Sequence, residues 1–185
     1  YVSSFGGFNA VKFSKEKVSV QSINLSKSTL TELQNNLLLF REGNTRNSST
    51  ILTNQIDMIK KKNPDTLTSL LTVKDLAFDM HKSLKQSDIT KFGELIHQGW
   101  LAKKKFAKNV TNSRIDKIYD IALKNGAIGG KVTGAGGGGH MLFYCEKLKQ
   151  KKLQKKLQTL GLEHVKFSFY NNGPKIVKTS DMSNF

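Results

Sequence analysis

Apolar residues along the chain first alternate with polar ones, then recur at three-to-four spacing, then alternate again. Phe8, Val11, Phe13, Val18 and Val20 predict two short strands after Gly6-Gly7, joined through Ser14-Lys15-Glu16-Lys17 as a hairpin. The polar residues 26–36 predict a short helix capped by Ser28, and the compact run Leu37-Leu38-Leu39-Phe40 reads as a buried strand. Beyond Thr45-Arg46 the helical period holds for about eighty residues. Ile51, Ile56 and Ile59 mark a first long helix. A second, with Asn63 as cap and Pro64 in its first turn, has Leu67, Leu70, Leu71, Ala77, Met80 and Leu84 as its apolar stripe. A third starts at Ser87-Asp88 and carries Phe92, Leu95, Ile96, Trp100 and Phe106. A fourth is capped by Asn112, carries Ile115, Ile118, Tyr119 and Ala122, and stops at Asn125-Gly126.

Alternation then returns around a glycine-rich stretch. Residues 128–133 predict a strand, residues 134–139 a loop, and residues 141–145 a second strand. A helix over 147–159, with Leu148, Leu153, Leu157 and Leu160 on its apolar side, ends at Gly161. Val165, Phe167 and Phe169 predict a half-buried strand, Asn171-Asn172-Gly173-Pro174 a turn, and Ile176-Val177 a last short strand. Helices segregated beside a small, mainly antiparallel sheet make an α+β layout.

Between Gly129 and Gly139, seven of eleven residues are glycine, against 15 in all 185 residues. Glycine loses more conformational entropy on folding than any other residue, so such a cluster serves positive φ angles or close backbone approach. Successive N–H groups in such a loop can form an anion-binding concavity. Neither the Walker pattern nor GxGxxG is present, so the glycines alone leave open an anion cradle or a tight strand connection.

Composition narrows the options. The net charge of +16 comes mostly from lysine, since Arg41, Arg46 and Arg114 are the only arginines. That balance favours anionic partners. The lysines are scattered over predicted helices, and most aromatics sit in apolar patterns, which points away from nucleic acid. No segment has the roughly 20 apolar residues of a membrane span. The start has no signal-peptide pattern and no Met, which suggests that the chain begins inside a longer protein. A single cysteine, Cys145, permits no internal disulfide and suits the cytoplasm.

The segment from Gly129 through Lys131, Val132, Thr133, Gly134, Ala135 and Gly136 to Gly139 resembles the third motif of the GHMP small-molecule kinases. Leu37-Leu38-Leu39-Phe40 with Gly43-Asn44-Thr45-Arg46, and Gly93-Glu94-Leu95-Ile96-His97 with Trp100 and Lys103-Lys104-Lys105, resemble that family's heptose-phosphate branch. Phe5-Gly6-Gly7-Phe8-Asn9 resembles the segment immediately after the branch's Gly-Gly-x-Gln-Asp-Gln sequence. The resemblance implies ATP- and Mg²⁺-dependent phosphoryl transfer to the anomeric hydroxyl of a heptose 7-phosphate. It also implies that residues 1–25 end a preceding N-terminal kinase domain and that residues 26–185 form the C-terminal domain. The family's phosphate loop, Pro-x-x-x-Gly-Leu-Gly-Ser-Ser, has no counterpart in these 185 residues, and its catalytic carboxylate would stand two residues before Tyr1. By this resemblance the chain holds no catalytic residue, acts together with the missing N-terminal kinase domain, and is inactive alone. His140 departs from the family, where an apolar or aromatic residue is expected. The alternatives are a fucokinase-like or other GHMP kinase, and a non-enzymatic basic binding module.

Phosphoryl transfer requires positioned positive charge and N–H donors around the moving group. Gly134, Ala135, Gly136, Gly137 and Gly138 are the candidate phosphate or substrate loop. Arg46, whose guanidinium can hold a phosphate in two-pronged fashion, and its neighbour Thr45 are candidate substrate contacts, as are Lys131 and Lys103. Lys103, Lys104 and Lys105 point in different directions, so one or two of them at most can face a site. His97 and Trp100 read as structural, Cys145 as inert packing, and Asp116 and Asp120 as ordinary surface carboxylates. His81, His140 and His164 have no second ligand at metal spacing, so no protein-built metal site is expected.

Overall fold

The computed structural model describes residues 2–43 and 48–174. They form two compact units. One takes in the N-terminal residues through Leu25 and those from Ser168 onward; the other is Ser26–Phe167. The expected contacts Thr45 and Arg46, and the expected strand at Ile176-Val177, lie outside the described residues.

In the first unit a short helix α1 (Val2–Phe5) precedes the hairpin of β1 (Asn9–Phe13) and β2 (Val18–Ser22). The strands are antiparallel, with Asn9 opposite Ser22 and Phe13 opposite Val18. The Ser14 N–H closes the turn on the Lys17 carbonyl at 3.0 Å, and the Ser14 hydroxyl donates to the same oxygen at 2.8 Å. The ring of Phe169 meets Phe8 edge-on, centroids 4.8 Å apart.

The second unit runs α2 (Lys27–Asn36), β3 (Leu37–Arg41), α3 (Ser48–Lys60), α4 (Pro64–Lys85), α5 (Ile89–Lys103), α6 (Ser113–Lys124), β4 (Ala127–Val132), β5 (His140–Cys145), α7 (Lys147–Gln158) and β6 (Glu163–Val165). Its four strands lie in the order β4-β5-β3-β6, every neighbouring pair antiparallel. The α+β expectation of helices on a small antiparallel sheet is met. β3 runs inside the sheet between β5 and β6, which is why Leu37, Leu38 and Phe40 are all buried. The core joins Phe40, Met141 and Phe143 from the sheet to Trp100, Ile115, Tyr119, Leu153 and Leu157 from the helices.

Capping explains most helix starts. The side chains of Asn63, Asp88 and Asn112 accept the first free N–H groups of α4, α5 and α6. For α2 the cap is Ser26, not Ser28: the Ser26 oxygen takes the Thr29 N–H at 3.0 Å, and Ser28 already lies inside the helix. Phe106 falls beyond the end of α5. Ile56 and Ile59 are exposed on α3, and Leu148 is 98% exposed at the start of α7. The sheet also ends sooner than expected, because β6 stops at Val165 and residues 166–170 are not strand. The largest departure is in α4, where Leu67 and Leu71 are exposed while Thr66, Ser69, Leu76, Ser83 and Leu84 are buried.

The contact that fixes α5 on the sheet is made by two glycines. A methyl group on Gly129 would overlap the Gly93 carbonyl oxygen and crowd the His97 backbone. The same glycine sits at an irregularity in the β4–β5 register. Side chains at these points would wedge α5 away from β4, and close-packed interiors yield little to such a wedge.

Gly129→Ala is therefore expected to cost about 2–3 kcal/mol of stability by denaturant titration. Gly161→Ala, at φ +82° with nothing near the added carbon, is expected to cost only about 1 kcal/mol through its backbone conformation. An equal or larger loss at Gly161 would refute close approach as the constraint at Gly129.

Candidate phosphate-binding site

The glycine-rich loop closes β4 onto β5. The Thr133 N–H donates to the His140 carbonyl at 2.9 Å, sealing its neck. Gly134, Gly136, Gly137, Gly138 and Gly139 all have positive φ, between +69° and +150°. Few residues other than glycine adopt such angles without strain, so the run is a requirement of the path. Gly136 has a second reason: a methyl group there would stand 2.6 Å from the Val110 carbonyl oxygen.

Groups from four parts of the unit grip this loop, mostly by its carbonyls. The Lys103 ammonium of α5 donates to the Gly134 carbonyl. Gln55 of α3 reaches the Ala135 carbonyl at 3.4 Å, and Asn112, the cap of α6, reaches the Gly137 carbonyl at 3.5 Å. The Glu42 N–H, just after β3, donates to the Gly139 carbonyl at 2.8 Å. The Gly137 N–H runs the other way, to the Val110 carbonyl at 2.8 Å. The N–H groups of Gly134, Ala135, Gly136 and Gly138 have no acceptor among the described residues. With the Gly134, Ala135, Gly137 and Gly139 carbonyls taken and these donors open, the loop has the polarity of an anion site.

Charge agrees with that polarity. Lys103 is half-buried beside the loop, and burial first, then the nearby Lys131, lowers its ammonium to about 8. Lys131, exposed on β4, is also lowered by partial desolvation, with the larger effect at Lys103. Two cations that disfavour each other gain from an anion placed between them and the open amides. Of the three successive lysines, then, Lys103 faces the loop. Lys104 donates to Asp116 at 3.0 Å, and Lys105 is exposed.

That contact corrects the reading of Asp116 as an ordinary surface carboxylate, since the Thr111 hydroxyl also donates to it, at 2.9 Å. His97 braces the strand that enters the loop. Tyr119 donates its hydroxyl proton to the Gly130 carbonyl at 3.1 Å, so His97 Nδ1 is assigned as the donor to the Tyr119 oxygen, 2.8 Å away. Burial, then Lys104, keeps the His97 ring below its ordinary value and hence neutral. Trp100 is core, as expected. Cys145 is buried, and its thiol is pushed up to about 11 by that burial, which leaves it inert.

Two participants were not legible in the sequence. Gln55 looks like any polar residue between helical apolar positions. Glu42 has its side chain 2% exposed and accepts from Arg114 Nε at 2.6 Å. That pair ties the segment after β3 to the start of α6, beside the loop. Among the described residues no three His, Cys, Asp or Glu are grouped to hold a metal ion, and no helix is long and apolar enough to cross a membrane.

A family model described as the C terminal part of GHMP kinases matches residues 80–161, which include α5, α6, the loop and both of its strands. A D-glycero-alpha-D-manno-heptose 7-phosphate kinase of Campylobacter jejuni is 29% identical over 176 residues, 95% of this chain and 51% of that protein. A galactokinase of Candida albicans is 34% identical over 93 residues, 48% of this chain and 18% of that protein. A solved structure of a sugar kinase from Campylobacter jejuni superposes with a TM-score of 0.65 at 26% identity, over 92% of this chain and 48% of that one. The chain thus spans about half the length of the heptose 7-phosphate kinase and of the solved kinase.

The lowered Lys103 pKa predicts a pH-dependent stability. Between about 8 and the ordinary lysine value the unfolded chain binds more protons than the folded one, so this group's contribution to stability rises with pH there. Lys103→Met removes a disfavoured ammonium together with its bond to the Gly134 carbonyl, so the difference in Tm between variant and parent should move against the variant as pH rises from about 7.5 to about 10.5. A constant difference in Tm across that range would contradict the assignment.

Proposed function

We propose that this chain, whose residues 80–161 match the C-terminal model of the GHMP kinases, supplies the loop-side wall of a sugar kinase active site. The kinase transfers the γ-phosphoryl group of ATP to the anomeric hydroxyl of a heptose 7-phosphate. The observation that carries this reading is the loop itself: four open N–H groups, in a loop held by its Gly134, Ala135, Gly137 and Gly139 carbonyls, beside Lys103 and Lys131. Phosphoryl transfer depends on such preorganised donors and cations more than on covalent steps by the protein.

In this proposal Gly134, Ala135, Gly136 and Gly138 present their amides to phosphoryl oxygens, and Gly137 anchors the loop to Val110. Lys103 and Lys131 offset charge that gathers on those oxygens. Arg46, with Thr45 beside it, holds the sugar 7-phosphate. Mg²⁺ arrives with the nucleotide. The phosphate loop and catalytic carboxylate come from an N-terminal kinase domain, to which the hairpin of residues 1–25 belongs. These 185 residues alone do not turn over. Acceptance of a sugar without a phosphate is the second reading, favoured by the galactokinase match.

ADP release separates these statements. The 185-residue polypeptide mixed with ATP, Mg²⁺ and heptose 7-phosphate should release none above background; measurable turnover would refute the half-site reading. Joined to an N-terminal kinase half, the chain should be active, with heptose 7-phosphate preferred over heptose, fucose and galactose. Preference for an unphosphorylated sugar would transfer the reading to the second class and remove the role given to Arg46. In the joined enzyme, Gly136→Ala should lower kcat/KM by about 10²-fold through displacement of the loop.

A further inference from the structure

Helix α4 is apolar on both of its sides. Its buried side holds Thr66, Ser69, Leu76, Ser83 and Leu84. Opposite them Leu67, Leu71 and Phe78 are 37%, 60% and 62% exposed. At 3.6 residues per turn these three share one side of the helix with Lys74, Asp75 and Lys82, all exposed. α4 packs chiefly on α5, and α5 packs on β4, so α4 is an outer layer. None of the groups that grip the glycine loop belongs to it. Nothing about the phosphate site therefore asks for large apolar side chains on this face, and exposed large apolar side chains gathered on one side of an outer helix mark an interaction surface.

We infer that this face is a two-fold interface with a second copy of this chain, α4 lying antiparallel to α4 of the other copy. A two-fold contact requires a patch that complements itself, and the order of residues along α4 does so. An axis passing between Lys74 and Asp75 sets Lys74 of each copy against Asp75 of the other. The same register sets Leu71 of each copy against Phe78 of the other, and Leu67 against the aliphatic stem of Lys82. Sliding the axis to Phe78 would instead set Lys74 against Lys82, like against like, so the charges select the register as well as allow it. The apolar residues supply the attraction and the central ion pairs fix the alignment. This inference is independent of the function proposed for the loop.

Sedimentation velocity over a range of concentrations tests it on the 185-residue chain. A concentration-dependent dimer is expected. Leu71→Asp and Phe78→Asp, both at exposed positions, should return it to monomer with helix content by circular dichroism unchanged. Lys74→Asp or Asp75→Lys alone should raise the dimer Kd at least about tenfold. The double variant Lys74→Asp/Asp75→Lys, which restores opposite charges across the axis, should recover the parent Kd. A chain that stays monomeric at every concentration, including one whose α4 is protected only after an N-terminal kinase half is added, overturns the inference. So does a dimer indifferent to Leu71→Asp and Phe78→Asp, or single reversals that the double variant fails to rescue.

Discussion

The loop between β4 and β5 keeps one path because four of its carbonyls are bonded to other parts of the unit. Seven glycines in eleven residues form a chain that by itself would sample many conformations, and the left-handed angles at Gly134, Gly136, Gly137, Gly138 and Gly139 add nothing to hold one of them. What holds the path is a set of bonds from Lys103, Gln55, Asn112 and the Glu42 N–H, each arriving from a different part of the unit. Taking up the carbonyls leaves the loop polarised, with donors outward from its bonding. The strands, helices and caps of this unit matter to function insofar as they deliver those four groups to one place.

Delivery in turn depends on how closely α5 lies on β4. Gly93 and Gly129 allow the helix backbone to approach the strand without a side chain between them. Lys103 sits at the far end of the same helix, so the contact at Gly129 and the bond at Gly134 are two ends of one placement. The His97–Tyr119–Gly130 chain adds a second tie between α5, α6 and β4. The ammonium of Lys103 is thereby held where burial disfavours its charge. A surface lysine would be free to swing away, and its presence beside Lys131 would have no consequence.

Much of this was legible in the residues. Capping groups at Asn63, Asp88 and Asn112 announce three helices because each side chain takes an N–H that the helix cannot satisfy itself. The glycine run announces a loop with positive φ, and Leu37-Leu38-Leu39-Phe40 announces a strand buried inside a sheet. What failed was the assumption that apolar spacing always points inward. In α4 Leu84 is buried as its spacing implies, but Leu67 and Leu71 face solvent while Thr66, Ser69 and Ser83 are buried, because close helix packing favours small side chains and hydroxyls find partners: Thr66 with the Asn63 side chain and the Phe106 carbonyl, Ser83 with the Met80 carbonyl. At the site, the glycines and Lys103 stood out by type, while Gln55, Glu42 and the second role of Asn112 depend on tertiary approach between segments far apart in the chain. No local pattern encodes that.

In the proposed kinase the open amides of the loop receive phosphoryl oxygens. Backbone amide resonances followed by NMR during titration of the 185-residue chain with pyrophosphate test it most directly, because they read each N–H separately and need no turnover. Saturable downfield movement of the Gly134, Ala135, Gly136 and Gly138 amide protons is expected, with Gly137, already bonded to Val110, moving least. Movement confined to surface lysines, or an equal response at Gly161 far from any grip on the loop, would contradict it.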